Sequence, residues 1–169
     1  NFPTHCIVDG RFRQILEETG MSVEKEFEMV SLARRMDLFS IVYVSTPAEA
    51  KAMAEAGADA IIAHVGTTVG GSIGVKGAVG TMKDSVRRVQ AVIDAGRSVR
   101  KDIIFLSHGG PIARPEDAAF INEHTDAVGF VGASSLERLA VEDSLTALTQ
   151  RFKAIPVRKQ ALKAIRWRE

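Results

Sequence analysis

Four short apolar runs without polar alternation constrain the fold of this chain more than any other feature. They are Phe39–Val44 (FSIVYV), Ala60–His64 (AIIAH), Ile103–Ser107 (IIFLS) and Ala127–Val131 (AVGFV). A strand with one face in water alternates apolar and polar residues. A strand buried on both faces does not, and such strands belong to parallel sheets covered by helices. The segments between the runs carry helical spacing. Ser22–Met36 places Val23, Phe27 and Val30 on one face, with glutamates early and Arg34–Arg35 late, as the helix dipole favours. Thr46 is an N-cap candidate, Pro47 suits the first position of a helix over Ala48–Ala56, and Gly57 closes it. Further helices are predicted over Met82–Arg100, from Arg114–Asp117 to about His124, and from a cap at Ser134 or Ser135 to near Lys153. Val157–Trp167 reads as a basic tail helix. His5–Val8 is either the tail of another strand or a loop. The order βαβαβαβα implies parallel strands joined by right-handed crossovers.

The 169 residues suit one domain, and 46% apolar content is enough for a core. With 22 basic against 21 acidic residues, nothing favours a nucleic-acid or anionic-membrane surface. No apolar run approaches the ~18 residues that span a bilayer. The one cysteine, Cys6, excludes an internal disulfide framework and fits a reducing, cytoplasmic setting. The chain starts at Asn1 without a methionine, which is expected of a processed or truncated piece.

Ligands of parallel α/β folds gather at the carboxyl ends of strands. Ser45–Thr46 follows the first run. His64, Gly66, Thr67 and Thr68 end and follow the second, and His108, Gly109, Gly110 and Pro111 follow the third. Gly132, Ala133, Ser134, Ser135 and Arg138 follow the fourth. His64 and His108 therefore hold matched positions on successive strands, which makes them candidate acid/base residues near neutral pH. A structural, hydrogen-bonded role is the competing expectation for each. Two histidines without a matched carboxylate make a weak metal signature, so no metal site is assigned and the cofactor is left open. Gly109–Gly110 and Gly132–Ser135 offer backbone N–H groups to an anion, the second at a helix N-terminus. Arg138 either faces that anion or pairs with Glu137 or Glu142. Val65–Gly80 holds six of the 14 glycines, including Gly70 and Gly71, and is expected to act as a flexible lid or backbone cradle. Asp59, at the wrong end of its strand, reads as a cap or ion-pair partner. Asp9, Arg11, Arg13, Glu17 and Glu18 read as helix-surface charges.

Several stretches resemble the phosphoenolpyruvate-hydrolase-like TIM-barrel domain family, which also forms the barrel part of tomato mosaic virus resistance-type proteins. They are NFPT (1–4), DGRFRQILEETGM (9–21), AGADAIIAHVG (56–66), GGSIG (70–74), LSHGGPIARPEDAAF (106–120), GFVGASSLERLAVE (129–142) and RFKAI (151–155). The family's GLTTGG is GTTVGG at 66–71 here, and its ERLPTE is ERLAVE at 137–142. Neither departure touches the histidines. The resemblance implies an α/β fold of the (β/α)8 type. A whole barrel takes eight βα units and ~250 residues, so residues 1–155 are expected to be its C-terminal part, about four to five units, followed by a basic tail over 156–169. Related phosphoenolpyruvate and phosphonopyruvate enzymes use carboxylate-bound magnesium, and no carboxylate cluster stands at these strand ends. The expected function is an enzyme acting on a small phosphorylated or carboxylated metabolite, hydrolase- or lyase-like. The alternative is a non-catalytic anion- or nucleotide-binding signalling module. Unpaired strand edges and a missing barrel wall predict pairing with another copy or membership of a longer polypeptide.

Overall fold

The computed structural model describes residues 10–76 and 80–156. The expectations for Asn1–Thr4, His5–Val8, Asp9 and the tail helix Val157–Trp167 lie outside the described residues. Two helices come first, α1 (Gly10–Glu18) and α2 (Glu24–Arg35). They are followed by β1 (Ile41–Val44), α3 (Pro47–Ala56), β2 (Ala60–His64), α4 (Met82–Arg97), β3 (Ile104–His108) and α5 (Pro115–His124). A π-helical turn, Ser135–Leu139, then leads into α6 (Ala140–Lys153).

Helix ends fall where local chemistry puts them. Thr46 Oγ1 accepts from the Glu49 N–H at 3.2 Å while the Glu49 carboxylate accepts from the Thr46 N–H, a reciprocal capping box, and Gly57 ends α3. Thr81 and Asp84 form a second box at the start of α4. Strand limits depend on the neighbouring strands. β1 starts two residues later than its apolar run because the Ser40 N–H donates to the Asp59 carboxylate at 2.9 Å and Phe39 stands in solvent. Asp59 also pairs with Arg34 at 3.4 Å, so it ties the amino end of β2 to α2. β3 is shifted by one residue and ends on His108.

The strands are parallel in the order β1-β2-β3, with Ile41 opposite Ala60 and Ala60 opposite Ile104. The fourth run lies beside β3 but pairs only once, Ser107 with Phe130. Three backbone bonds hold it: Val128 N–H to Phe105 O at 2.9 Å, Ser107 N–H to Gly129 O at 3.0 Å and Val131 N–H to Ser107 O at 2.9 Å. It extends the sheet without forming a full strand, so the described residues make an α/β fold on a parallel sheet.

Alternation along the strands divides the sheet. Val42, Val44, Ile61, Ala63 and Phe105 join Met53, Val89, Val92 and Ile93 in the core between sheet and helices. Gly96 is a consequence of that packing. A Cβ there would stand 2.6 Å from Phe105 Cζ, so only glycine lets α4 approach the ring. The opposite face carries Ile41, Tyr43, Ile62, His64, Ile104, Leu106 and His108. Among the described residues no helix is long and apolar enough to cross a membrane.

Candidate functional site

Parallel register brings the two histidines together. His64 ends β2, His108 ends β3, and they are direct ladder partners. Their ring centroids are 4.9 Å apart with the planes tilted by 53°. Tyr43, from β1, meets both rings edge-on, at 5.7 Å from His64 and 5.2 Å from His108. The three rings form one cluster at the carboxyl end of the sheet, on the face away from the helix core. Both imidazoles are buried, at 6% and 8% exposure. Tyr43 lies inside β1 and not after its end, so the strand-end residues of the sequence do not include it. Its signal was available: it is the chain's one tyrosine, inside the first apolar run.

Backbone groups orient each imidazole. The Gly66 N–H donates to His64 Nδ1 at 3.2 Å, and His108 Nδ1 lies 2.7 Å from the Val131 carbonyl oxygen. Burial, and then the neighbouring His108 and Arg88, push the His64 pKa down from 6.5 to about 4, so this ring is neutral at pH 7. Arg88 also escaped the sequence reading. It reaches from α4 to donate to the Val65 carbonyl at 2.9 Å, just beyond His64. Burial, followed by the Glu137 carboxylate, raises the Tyr43 pKa above 10, which keeps the phenol protonated.

The loops after β2 and β3 are zipped to one another. Gly110 N–H donates to Gly66 O at 2.6 Å, Val69 N–H to Gly110 O at 3.1 Å and Val65 N–H to His108 O at 3.0 Å. Gly109 sits at φ 79°, and a Cβ on it would lie 2.2 Å from Gly66 O, so the close approach requires glycine. The Gly110 N–H is thereby already engaged, which removes it as the anion donor the sequence suggested. Thr68 is buried beside this contact and Thr67 is exposed.

The glycine-rich loop is latched rather than loose over its described part. Arg138 donates to Gly70 O at 2.9 Å and lies 3.4 Å from Glu142. The Ser72 N–H and hydroxyl donate to Glu142 at 2.8 and 3.0 Å, and Leu139 packs against Gly70 and Gly71. Of the two expectations for Arg138, its pairing is therefore with Glu142, and its second bond fastens the loop. Hydrogen bonding from Ser72 holds the Glu142 carboxyl below its ordinary range. Ser134 and Ser135 do not cap the last helix. Ser134 already has helical angles, φ −54° and ψ −28°, whereas an N-cap needs extended ones, and the chain enters α6 through the π-turn. Gly132 and Ala133 precede that turn, with Leu136 folded back so that a Cβ on Gly132 would be 2.7 Å from its Cδ1.

Among the described residues no three His, Cys, Asp or Glu side chains come together as a metal site. Two imidazoles and a tyrosine do not match the oxygen-rich ligand set that magnesium takes.

The family model described as phosphoenolpyruvate hydrolase-like matches residues 1–155. The ToMV resistance protein Tm-1(GCR237) and the ToMV susceptible protein tm-1(GCR26), both of Solanum lycopersicum, are each 53% identical over 156 residues. That alignment takes in 92% of this chain and 21% of either relative, so the chain spans about a fifth of their length. A putative transcriptional regulatory protein, y4pA, of Sinorhizobium fredii is 31% identical over 155 residues, covering 92% of this chain and 25% of its own. Among solved structures, nitroalkane oxidase from Streptomyces ansochromogenes overlaps 65% of this chain and 31% of its own at 28% identity, with a TM-score of 0.40. The match over nearly the whole chain is the finding that assigns it: the protein belongs to the phosphoenolpyruvate hydrolase-like family.

Proposed function

We propose that this chain is the catalytic edge of an acid–base enzyme acting on a small carboxylated or phosphorylated metabolite. One observation carries the reading. His64 and His108 stand side by side in a largely buried setting, each anchored through Nδ1, and neither Nε2 is bonded by the described residues or sealed from open space. Buried imidazoles with only structural roles usually use both nitrogens. The location, at the carboxyl ends of parallel strands, is where such folds do their chemistry.

Burial supports the further reading that the sheet is the C-terminal part of a (β/α)8 barrel. One face is sealed by helices, while Ile41 and Ile104 of the other are left 51% and 42% exposed. In a complete barrel those residues would meet the opposite wall. The wall comes from a longer polypeptide or from a second copy, and sedimentation of the isolated chain distinguishes these from a stable monomer. Backbone groups of the 132–135 turn are the remaining candidates for holding the anion, since Gly110 and Arg138 are otherwise engaged.

Titration of 15N-labelled protein with phosphoenolpyruvate and with inorganic phosphate tests the site. Saturable shifts at Gly132–Ser135 and at both imidazoles are expected, together with turnover that disappears when His64 and His108 are replaced. The names of the relatives, resistance and transcriptional regulatory proteins, favour a second reading as a non-catalytic sensor. Binding without turnover that survives loss of both histidines would establish that reading instead.

A further inference from the structure

We infer that the two histidines are locked in opposite tautomers and that the pair interconverts the keto and enolate forms of a small carbonyl compound, with His108 as base and His64 as oxyanion donor. The inference rests on the acid–base reading above and specifies its chemistry.

The tautomers follow from the anchors. A backbone N–H can only donate, so His64 Nδ1, 3.2 Å from the Gly66 nitrogen, is an acceptor and the His64 proton resides on Nε2. A carbonyl can only accept, so His108 Nδ1, 2.7 Å from Val131 O, carries the proton and leaves a lone pair on Nε2. Neighbouring strands thus present one N–H and one lone pair, from rings 4.9 Å apart.

This combination selects a reaction class. His64 holds a single proton, and surrendering it would create an imidazolate, so it serves as a hydrogen-bond donor to developing negative charge rather than as a source of protons. His108 can accept a proton. Chemistry that removes a proton at one atom while charge collects on a nearby oxygen meets both conditions. At a carbon beside a carbonyl, the C–H bond breaks and its proton moves to His108 Nε2. The electron pair forms C=C, and the C=O pair moves onto the oxygen, held by His64 Nε2–H. The reverse step returns the proton to carbon, and no other reactant is required. Bond lengths place a carbonyl oxygen and its α-carbon about 2.4 Å apart, a separation that two rings 4.9 Å apart can bracket. Tyr43, edge-on to both rings, supplies an apolar wall and a protonated phenol.

The test uses the 169-residue chain in two measurements. Two-bond 1H–15N spectra of histidine-labelled protein should show Nε2–H for His64 and Nδ1–H for His108. Pyruvate and 2-oxobutyrate in D2O should exchange their C3 hydrogens faster with protein than in buffer, followed by proton NMR. Replacement by glutamine separates the roles, because an amide can still donate near the Nε2 position and cannot accept a proton as a base. His64→Gln is expected to keep exchange within about tenfold, while His108→Gln loses on the order of 10²–10⁴. Circular dichroism and thermal melts establish that both variants are folded. His64→Leu, which cannot donate, provides a second probe of His64 and should lose most of the exchange. Matching tautomers, equal losses for the two glutamine variants, or no exchange of either ketoacid above buffer would overturn the inference. If phosphoenolpyruvate still turns over while exchange is absent, the acid–base enzyme stands and only the keto–enolate assignment falls. If no anion binds at all, both fall.

Discussion

The two faces of the sheet differ in how completely they are finished. On the helix side Val44, Ile61 and Phe105 are 0–1% exposed, and the packing is tight enough to exclude a methyl group at Gly96. On the other side, Ile41 and Ile104 of the flanking strands stand half in solvent, while Ile62 of the central strand and the two histidines at the carboxyl end are buried. The first face supplies stability, and the second carries the proposed site. Rigidity at the histidines is borrowed through the strands, because a side chain on one face shares its backbone with core residues on the other. His64 lies next to Ala63 and Val65, both in the core cluster.

The largest test of this contrast is a pair of truncations on adjacent residues. Phe105→Ala should cost about 3–5 kcal/mol by denaturant unfolding, since it empties a filled site against Gly96 and Ile61. Ile104→Ala should cost less than about 1 kcal/mol, being half-exposed in the isolated chain. Similar losses would mean that the second face is covered in solution, and that what covers it is part of the stable unit.

A smaller effect is expected from pH, through the His64 imidazole, whose shift is large. The folded His64 pKa of about 4 lies below its ordinary 6.5. The unfolded chain therefore binds more protons across that interval, and acidification favours unfolding. The His64 contribution to stability is complete above about pH 6.5 and declines as pH falls toward about 4. His64→Gln should flatten this part of the pH–stability curve. An unchanged slope in the variant would show that His64 is not held neutral in the fold.

The smallest expected effect concerns the loop latch. Glu142→Ala removes the acceptor of both the Ser72 N–H and its hydroxyl. Hydrogen exchange at Ser72 should accelerate while the core amides of β2 keep their protection, because loop opening is a local event. Loss of protection in β2 as well would show that latch and sheet open together.

Much of this architecture was legible locally. The Thr46–Pro47 start and Gly57 end of α3, the Pro115 start of α5 and the β2 limits are written in neighbouring residues, since caps, proline and short apolar runs act over a few positions. The fourth run was legible as an apolar segment but not as a single bridge, because pairing depends on what lies alongside. Ser134–Ser135 had the composition of a cap, and the π-turn took its place once Leu136 and Leu139 folded toward Gly132 and Gly70.

The sequence by itself determined that this is a parallel α/β chain with histidines at two successive strand ends, because side-chain periodicity and strand order are properties of the chain alone. Only the tertiary structure decided that those histidines are ladder partners, that Tyr43 joins them and that Arg138 and Glu142 close on the loop at Gly70–Ser72. It also decided which ring nitrogen each histidine leaves open, through Gly66 and Val131. The reason is physical: strand register, the Val131 contact of His108 and the Ser72–Glu142 bonds are relations between segments 20 to 70 residues apart, and only the packed sheet specifies them.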